Sequence, residues 1–548
     1  MIAREGRGVK FASGKSFYRD NYSSDILRLC TARRALMGES RRSEIFIGLI
    51  GAVGVDLDDV AGKLGWALEQ ARYVPLTVRV SACVAEILGV ETDDLDEESR
   101  VECLQDAGDR LRTIADNGAA AMFPTIADIC RQREANKAND ARAYIIKSMK
   151  RPEEVQFLRQ VYGDHFFAIG CVAPLVKRKE YLKRVIQNKA AFIKEAKDVD
   201  QSMNRIIARD ESDEQNDRGQ NVRDTLVLAD AIVDAHDENL QSQIDRLRDL
   251  MFGSPWETPT LAEYAMTTAA MSALRSQDLS RQVGAAIVDE GNGAIIATGF
   301  NEVPVPGGGV AWSLQKGDAD LRDRRMGGDQ NAFMRSTIFQ EFVEAMHASD
   351  LLKEGVGVAD TVQRMLSGDL SKTFKRRRIS NLIEFGRIVH AEMAALTEAA
   401  RTGRSVAGAT MYCTTYPCHM CARHLIAAGI AKVVYIEPYP KSLTQHLYEG
   451  AVSYEGEAGA AGKALRFQAF IGVTPRLYQR VFSLGQRKRK DGAGRPYQWQ
   501  VNEAIPFIDN SDERGYVENE QAAIAYLSDL VKTVLQDTGG RHDQHTNP

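Results

Sequence analysis

No apolar run in this sequence approaches the ~20 residues that a membrane-spanning helix needs. The opening residues MIAREGRGVKFASGKS lack the apolar core of a secretory leader. The expectation is a cytoplasmic protein with no membrane partner. Cysteine is sparse, eight in 548 residues, which suits a reducing compartment better than a disulfide framework. An excess of positive charge is also missing: 70 Lys and Arg stand against 75 Asp and Glu, for a net charge of −5. A chain that tracks along a polynucleotide is usually basic, so a small anionic ligand is favoured over long nucleic acid. Repeats of solenoid period are absent. With 44% hydrophobic and 26% charged residues the composition is that of a globular protein, and 548 residues exceed what one core can hold, so two or three domains are expected.

What is present is concentrated between Ile388 and Glu437. His390 is followed two places later by Glu392, and Pro417-Cys418-His419-Met420-Cys421 reads P-C-x-x-C. Three protein ligands leave a fourth zinc position for water and lower its pKa towards neutrality, so His390, Cys418 and Cys421 are read as a catalytic Zn2+ site, not a closed structural one. Two thiolates and a neutral imidazole balance the charge of the ion, which allows a dry pocket. Each half should open a helix: AEMAALTEAAR is stopped by Gly403 and CHMCARHLIAA by Gly429. Helix N-termini favour thiolates where the metal needs them. Glu392 is placed to move a proton, and H-x-E with P-C-x-x-C matches the signature of zinc nucleobase deaminases. His419 is expected to point away from the site, and Cys413 to be a buried strand thiol.

Read in order, residues 1–42 form a basic arm with one helix near Asp25 to Leu36. Residues 43–254 open on an apolar strand, a glycine turn and an amphipathic helix, the arrangement in which backbone N–H groups close on an anion, so Gly48, Gly51 and Gly54 become nucleotide-binding candidates. The P-loop pattern is broken, because counting from Gly51 puts Asp56, Leu57 and Asp58 where Gly, Lys and a hydroxyl belong. Nucleotide binding for regulation and a structural relic both remain open. Further along, FFAIGCVA reads as a strand, and Lys177, Arg178, Lys179 and Arg184 either meet phosphates or line a solvated helix face. The stretch around these residues resembles P-loop nucleotide kinases.

Residues 255–500 carry the second expected domain: a helix in TLAEYAMTTAAMSALRS, a hairpin of VGAAIVD and AIIATGF, then Gly299-Phe300-Asn301. From roughly Leu261 to Pro438 this order resembles the cytidine and deoxycytidylate deaminase family. That resemblance implies an α/β/α sandwich, gives Asn301 a hydrogen bond to the substrate, and puts Arg281 forward as a phosphate or subunit contact. A long insertion, 302–387, departs from small cytidine deaminases. Its basic groups Arg322, Arg324, Arg325 and Lys375-Arg376-Arg377-Arg378 suit a phosphorylated substrate and equally a solvated loop. Residues 501–548 should be a C-terminal helix and a disordered tail, with His542 and His545 too weakly placed for a metal site.

A kinase-like α/β domain with a degenerate phosphate loop fused to a deoxycytidylate-type deaminase resembles the bacterial anti-phage dCTP deaminases over most of the chain. The resemblance implies conversion of dCTP, and of dCMP, to the uridine nucleotide, depletion of a pool that phage replication needs, a homo-oligomer, and restraint by a partner RNA. A housekeeping dCMP deaminase and a zinc deaminase acting on nucleic acid are the alternatives.

Overall fold

The computed structural model describes residues 43–136, 141–189, 196–211, 219–312, 320–353, 355–375, 377, 379, 385–439, 442–455, 463–485, 487–507 and 513–540. The expected arm and its helix near Asp25, the pair Arg376 and Arg378, and His542 with His545 fall outside these residues. Twelve strands are described: β1 (Ile45–Gly51), β2 (Val74–Arg79), β3 (Arg142–Met149), β4 (Phe166–Val172), β5 (Ala231–Asp234), β6 (Gly284–Asp289), β7 (Ala294–Phe300), β8 (Thr410–Thr415), β9 (Lys432–Glu437), β10 (Val452–Tyr454), β11 (Leu465–Ala469) and β12 (Gly472–Val473). They form two six-stranded sheets in two compact units. One unit comprises Met1–Glu263, Tyr454–Ala458 and Ala469–Pro548; the other comprises Tyr264–Ser453 and Gly459–Gln468.

The first sheet has the order β12-β5-β4-β1-β3-β2. Strands β1 to β5 run parallel and β12 joins β5 antiparallel. All seven residues of β1 are buried, as the IFIGLIG run requires of a central strand covered on both faces. Gly48 lies inside that strand and not in the turn after it. A Cβ there would come within 2.3 Å of the Met149 side chain and 2.9 Å of Phe166, so its smallness serves sheet packing. Gly51 ends β1, and Gly54 occupies the turn with φ +90, before the helix Leu57–Gln70 begins.

The expected boundaries put 255–500 in one domain, whereas the segment from Ala469 onward groups with the first unit. Two features account for this. Thr474 Oγ1 donates to the Ala229 carbonyl at 2.8 Å, anchoring β12 at the sheet edge. In the helix Glu513–Gly540, Glu520 takes a two-bonded grip from the Arg133 guanidinium at 2.7 and 2.8 Å. Arg133 also donates to Glu44 at 3.0 Å, Arg142 donates to Glu44 at 2.8 Å, and the Tyr516 hydroxyl donates to the same carboxylate at 3.0 Å. Glu44, Arg133, Arg142 and Glu520 are all buried. Removing one member of such a network strands charges out of water, so Glu520→Ala is expected to cost ~3–5 kcal/mol in urea denaturation. A loss below ~1 kcal/mol would show that the network does not hold this helix down.

The second sheet has the order β10-β11-β9-β8-β6-β7 and is mixed: β6 pairs antiparallel with β7 and β8, and β8 runs parallel to β9. The helices Leu261–Ala273, Ala391–Arg401 and His419–Ala427 belong to this half of the chain. Glycines set how closely two of them approach. A Cβ on Gly284 would sit 1.9 Å from the Ala269 carbonyl oxygen, and one on Gly299 would sit 2.2 Å from the Ala391 oxygen. The helix after His390 therefore rests directly on β7, and its start is fixed relative to the sheet.

The insertion forms the helices Gln330–Ala348, Val358–Leu366 and Ser371–Lys375 around a small core of Phe339, Val343 and Met365. Among the described residues no helix is long and apolar enough to cross a membrane.

Candidate metal centre and substrate cavity

His390 and Cys418 occupy equivalent places, each the extended N-cap of a helix, with φ/ψ of −65/154 and −68/163. The capping carbonyls accept the first helical bonds, from Ala394 N at 2.8 Å and from Ala422 N at 2.9 Å. Ahead of His390, Val389 and Glu302 exchange backbone hydrogen bonds at 3.0 and 3.2 Å, tying that segment to the end of β7. Ahead of Cys418, β8 delivers the chain through Thr415, Tyr416 and Pro417. Cys421 follows one helical turn after Cys418 and is 1% exposed.

The His390 Nδ1 atom lies 3.4 Å from each of the sulfurs of Cys418 and Cys421, and the three ligand atoms lie within 4.8 Å of one another. Zinc bond lengths of ~2.3 Å to sulfur and ~2.05 Å to nitrogen at a tetrahedral angle put N and S about 3.6 Å apart, so the spacing fits one ion bound by all three. Cys413 is buried in β8 with its thiol pushed well above the usual range by burial, and neither it nor His419 belongs to the cluster.

The electrostatics follow from proximity. Hydrogen bonding from the Cys421 thiol, and then from His390, brings Cys418 down to about 4. Donating to Cys418 raises Cys421. The Cys418 thiolate lifts His390 to about 9. Glu392 is 4% exposed, and burial holds its carboxyl up at about 6. A buried carboxyl beside a metal cluster, with no arginine or lysine paired to it among the bonds described, is equipped to pass protons rather than to brace the fold.

The cluster opens into a cavity of ≈ 420 Å³ whose lining includes His390, Glu392, Cys418, Arg281, Asn301 and Tyr416. This is room for a nucleotide-sized ligand. Tyr416 stacks on Phe467 with ring centroids 4.8 Å apart and meets Tyr435 edge-on at 4.9 Å, giving one rigid aromatic wall. Asn301 is buried. Its Oδ1 accepts from Val283 N at 2.7 Å and its Nδ2 donates to the Arg281 carbonyl at 2.7 Å, so it shapes the 281–283 rim and keeps one N–H and one lone pair in reserve. Arg281 is half-exposed and ion-paired with Glu437.

The sequence reading did not reach several lining residues. Asp278, Asp323, Asn331, Arg335 and Arg387 reach the cavity, four of them from the insertion. Arg387 pairs with Asp323 at 2.9 Å. The only signal was the general basic character of 302–387. Of the basic groups singled out there, Arg322 is buried against Asp320 at 2.6 Å, while Arg324 and Arg325 are exposed and do not line the cavity. Gly48, Gly51 and Gly54 lie in the other unit. A groove of ≈ 640 Å³ there, beside Trp66 and Arg79, holds none of the metal-cluster residues.

Residues 259–437 match the family model described as the cytidine and deoxycytidylate deaminase zinc-binding region. The deoxycytidylate deaminase of Enterobacteria phage T2 is 50% identical over 54 residues, which is 10% of this chain and 29% of that protein. ComE operon protein 2 of Bacillus subtilis is 41% identical over 66 residues, 12% of this chain and 35% of that protein. A probable deoxycytidylate deaminase of Drosophila melanogaster is 28% identical over 176 residues, 32% of this chain and 58% of that protein. The chain thus spans about a third or less of the length of the phage and Bacillus relatives. Among solved structures, the apo dCMP deaminase of cyanophage S-TIM5 is 19% identical, with a TM-score of 0.20, over 39% of this chain and 100% of that one. The His390, Cys418 and Cys421 cluster lies inside the matched stretch, so residues 259–437 are similar to the zinc-binding region of cytidine and deoxycytidylate deaminases.

Proposed function

We propose that this protein hydrolyses the C4 amino group of deoxycytidine nucleotides, dCTP and dCMP, to the deoxyuridine nucleotides, and that the loss of dCTP serves anti-phage defence. The observation that carries the chemistry is the buried Glu392 carboxylate beside the His390, Cys418 and Cys421 cluster at the base of a nucleotide-sized cavity.

His390, Cys418 and Cys421 would hold a zinc ion, which would supply a Lewis acid able to make water nucleophilic near neutral pH. Glu392 would take one proton from the attacking water and give it to ring N3, then take the second from the new C4 hydroxyl and give it to the departing nitrogen, so that water adds at C4 and ammonia leaves. The Tyr416 wall excludes solvent on one side of the base. Asn301 keeps the 281–283 rim in place, with its remaining N–H free to meet the substrate. Arg281, Arg335 and Arg387 give the cavity the positive groups that phosphate oxygens need. The preference for a triphosphate, the defence role, a homo-oligomeric state and restraint by an RNA rest on family resemblance. The parallel sheet with a glycine turn after β1 supports a kinase-like ancestry for the first unit.

Purified protein incubated with dCMP, dCTP, CTP and a cytosine-bearing oligonucleotide, with products followed by chromatography, tests the reading. Uracil products from the free deoxynucleotides are expected. Product from the oligonucleotide alone would move the protein to the nucleic-acid-editing class. No product from any of them at full zinc content would remove the enzymatic reading.

A further inference from the structure

The glycine turn after β1 has the form of an anion cradle, and the deaminase reading makes no use of it. We infer that the chain fills this cradle with its own carboxylate, Asp210, so that the first unit takes no nucleotide phosphate there.

The backbone N–H of Val53, in the middle of the turn, donates to Asp210 Oδ2 at 2.7 Å. Asp210 comes from the helix Ala196–Glu211 and is fully buried. Its other oxygen lies 2.9 Å from Lys150 Nζ, and the same ammonium donates to the Gly51 carbonyl at 2.8 Å. A loop N–H and a lysine on one buried anion is the pairing by which such loops hold a phosphate. Here the anion is internal, and the lysine comes from the end of β3, not from the broken sequence pattern.

The surroundings close the site. Arg178, buried, donates to the Val53 carbonyl at 3.0 Å. A Cβ on Gly54 would meet the Arg178 carbonyl oxygen at 2.8 Å. Val53 packs against Leu182, Ile186, Met203 and Ile207, so the helices Leu175–Lys189 and Ala196–Glu211 cover the turn with apolar side chains. Other loop donors are spent locally: Val55 N on the Ala52 carbonyl at 3.1 Å and Leu57 N on the Val55 carbonyl at 2.9 Å. The N-terminus of the helix Leu57–Gln70 is capped by Asp56 and carries Asp58 and Asp59 in its first turn. Asp58 pairs with Lys147. An incoming phosphate would have to displace a buried, charge-paired carboxylate and then face three more acidic groups.

The test uses full-length protein, with Mg-ATP and inorganic phosphate as probes because neither is a cytosine nucleotide. A failure here is then distinct from a failure of the deaminase reading. Isothermal titration of the wild-type protein is expected to show no saturable binding of either probe. Asp210→Ala should lower the melting temperature by ~10 °C, since it leaves the part-buried Lys150 without its charge partner and with only the Gly51 carbonyl to bond. Inorganic phosphate should restore part of that loss in Asp210→Ala, but not in the wild type or in the double variant Asp210→Ala/Lys150→Met. Saturable wild-type binding that Lys150→Met removes would overturn the inference. So would an unchanged melting temperature, or no phosphate rescue, in Asp210→Ala. Should that variant fail to fold, Asp210→Asn keeps the side-chain shape, and the wild-type titration decides by itself.

Discussion

Glu392→Gln is expected to lower kcat/KM for deoxycytidine nucleotides by about 10²–10⁴-fold while leaving the zinc content unchanged. The amide keeps the size of the side chain in a position that is 4% exposed, so packing around the helix Ala391–Arg401 is retained. What it loses is the ability to accept a proton from water and return it to the leaving nitrogen. His390, Cys418 and Cys421 are untouched, and their spacing is set by two helix starts and not by Glu392. Elemental analysis beside a steady-state assay separates the two properties. A zinc-replete variant with near-normal turnover would strip Glu392 of its role. A variant that lost zinc would make it a support of the metal cluster instead.

Cys421→Ala is expected to remove zinc and activity together. It deletes one of three ligands, and the loss in metal affinity should exceed the ~10–100-fold that accompanies loss of an outer-shell partner. The fold should suffer less than the site, since Cys421 is one small buried residue on a helix whose N-cap and apolar face remain. Circular dichroism should therefore stay close to the wild type while elemental analysis shows the metal gone. Retained zinc at full occupancy would mean that another group completes the set and that the three-ligand assignment is wrong.

Parts of the site were legible because they are local. Cys418 and Cys421 are three places apart at a helix start, a spacing that turns both to one side, and His390 stands as the N-cap two places before Glu392, so each pair is held together by a few residues of local chain. The alternation and turn residues around β6 and β7, and the long apolar β1, likewise act over a few residues. Gly48 shows where local reading fails. A run of glycines after an apolar strand looks like one loop, yet Gly48 answers to Met149 and Phe166, which are neighbours only across the sheet.

By itself the sequence determined the chemistry on offer: which side chains can ligate zinc, which can carry a proton, and which helix starts hold them, all through contacts between near neighbours in the chain. Only the tertiary structure decided what those groups face. Arg335 and Arg387 enter the cavity because the insertion folds on its own small core, Glu520 ties the last described helix to the first unit through Arg133, and Asp210 reaches a turn 157 residues away. Each depends on packing or pairing with residues remote in the chain, and that energy belongs to the packed structure, not to any stretch of residues read alone.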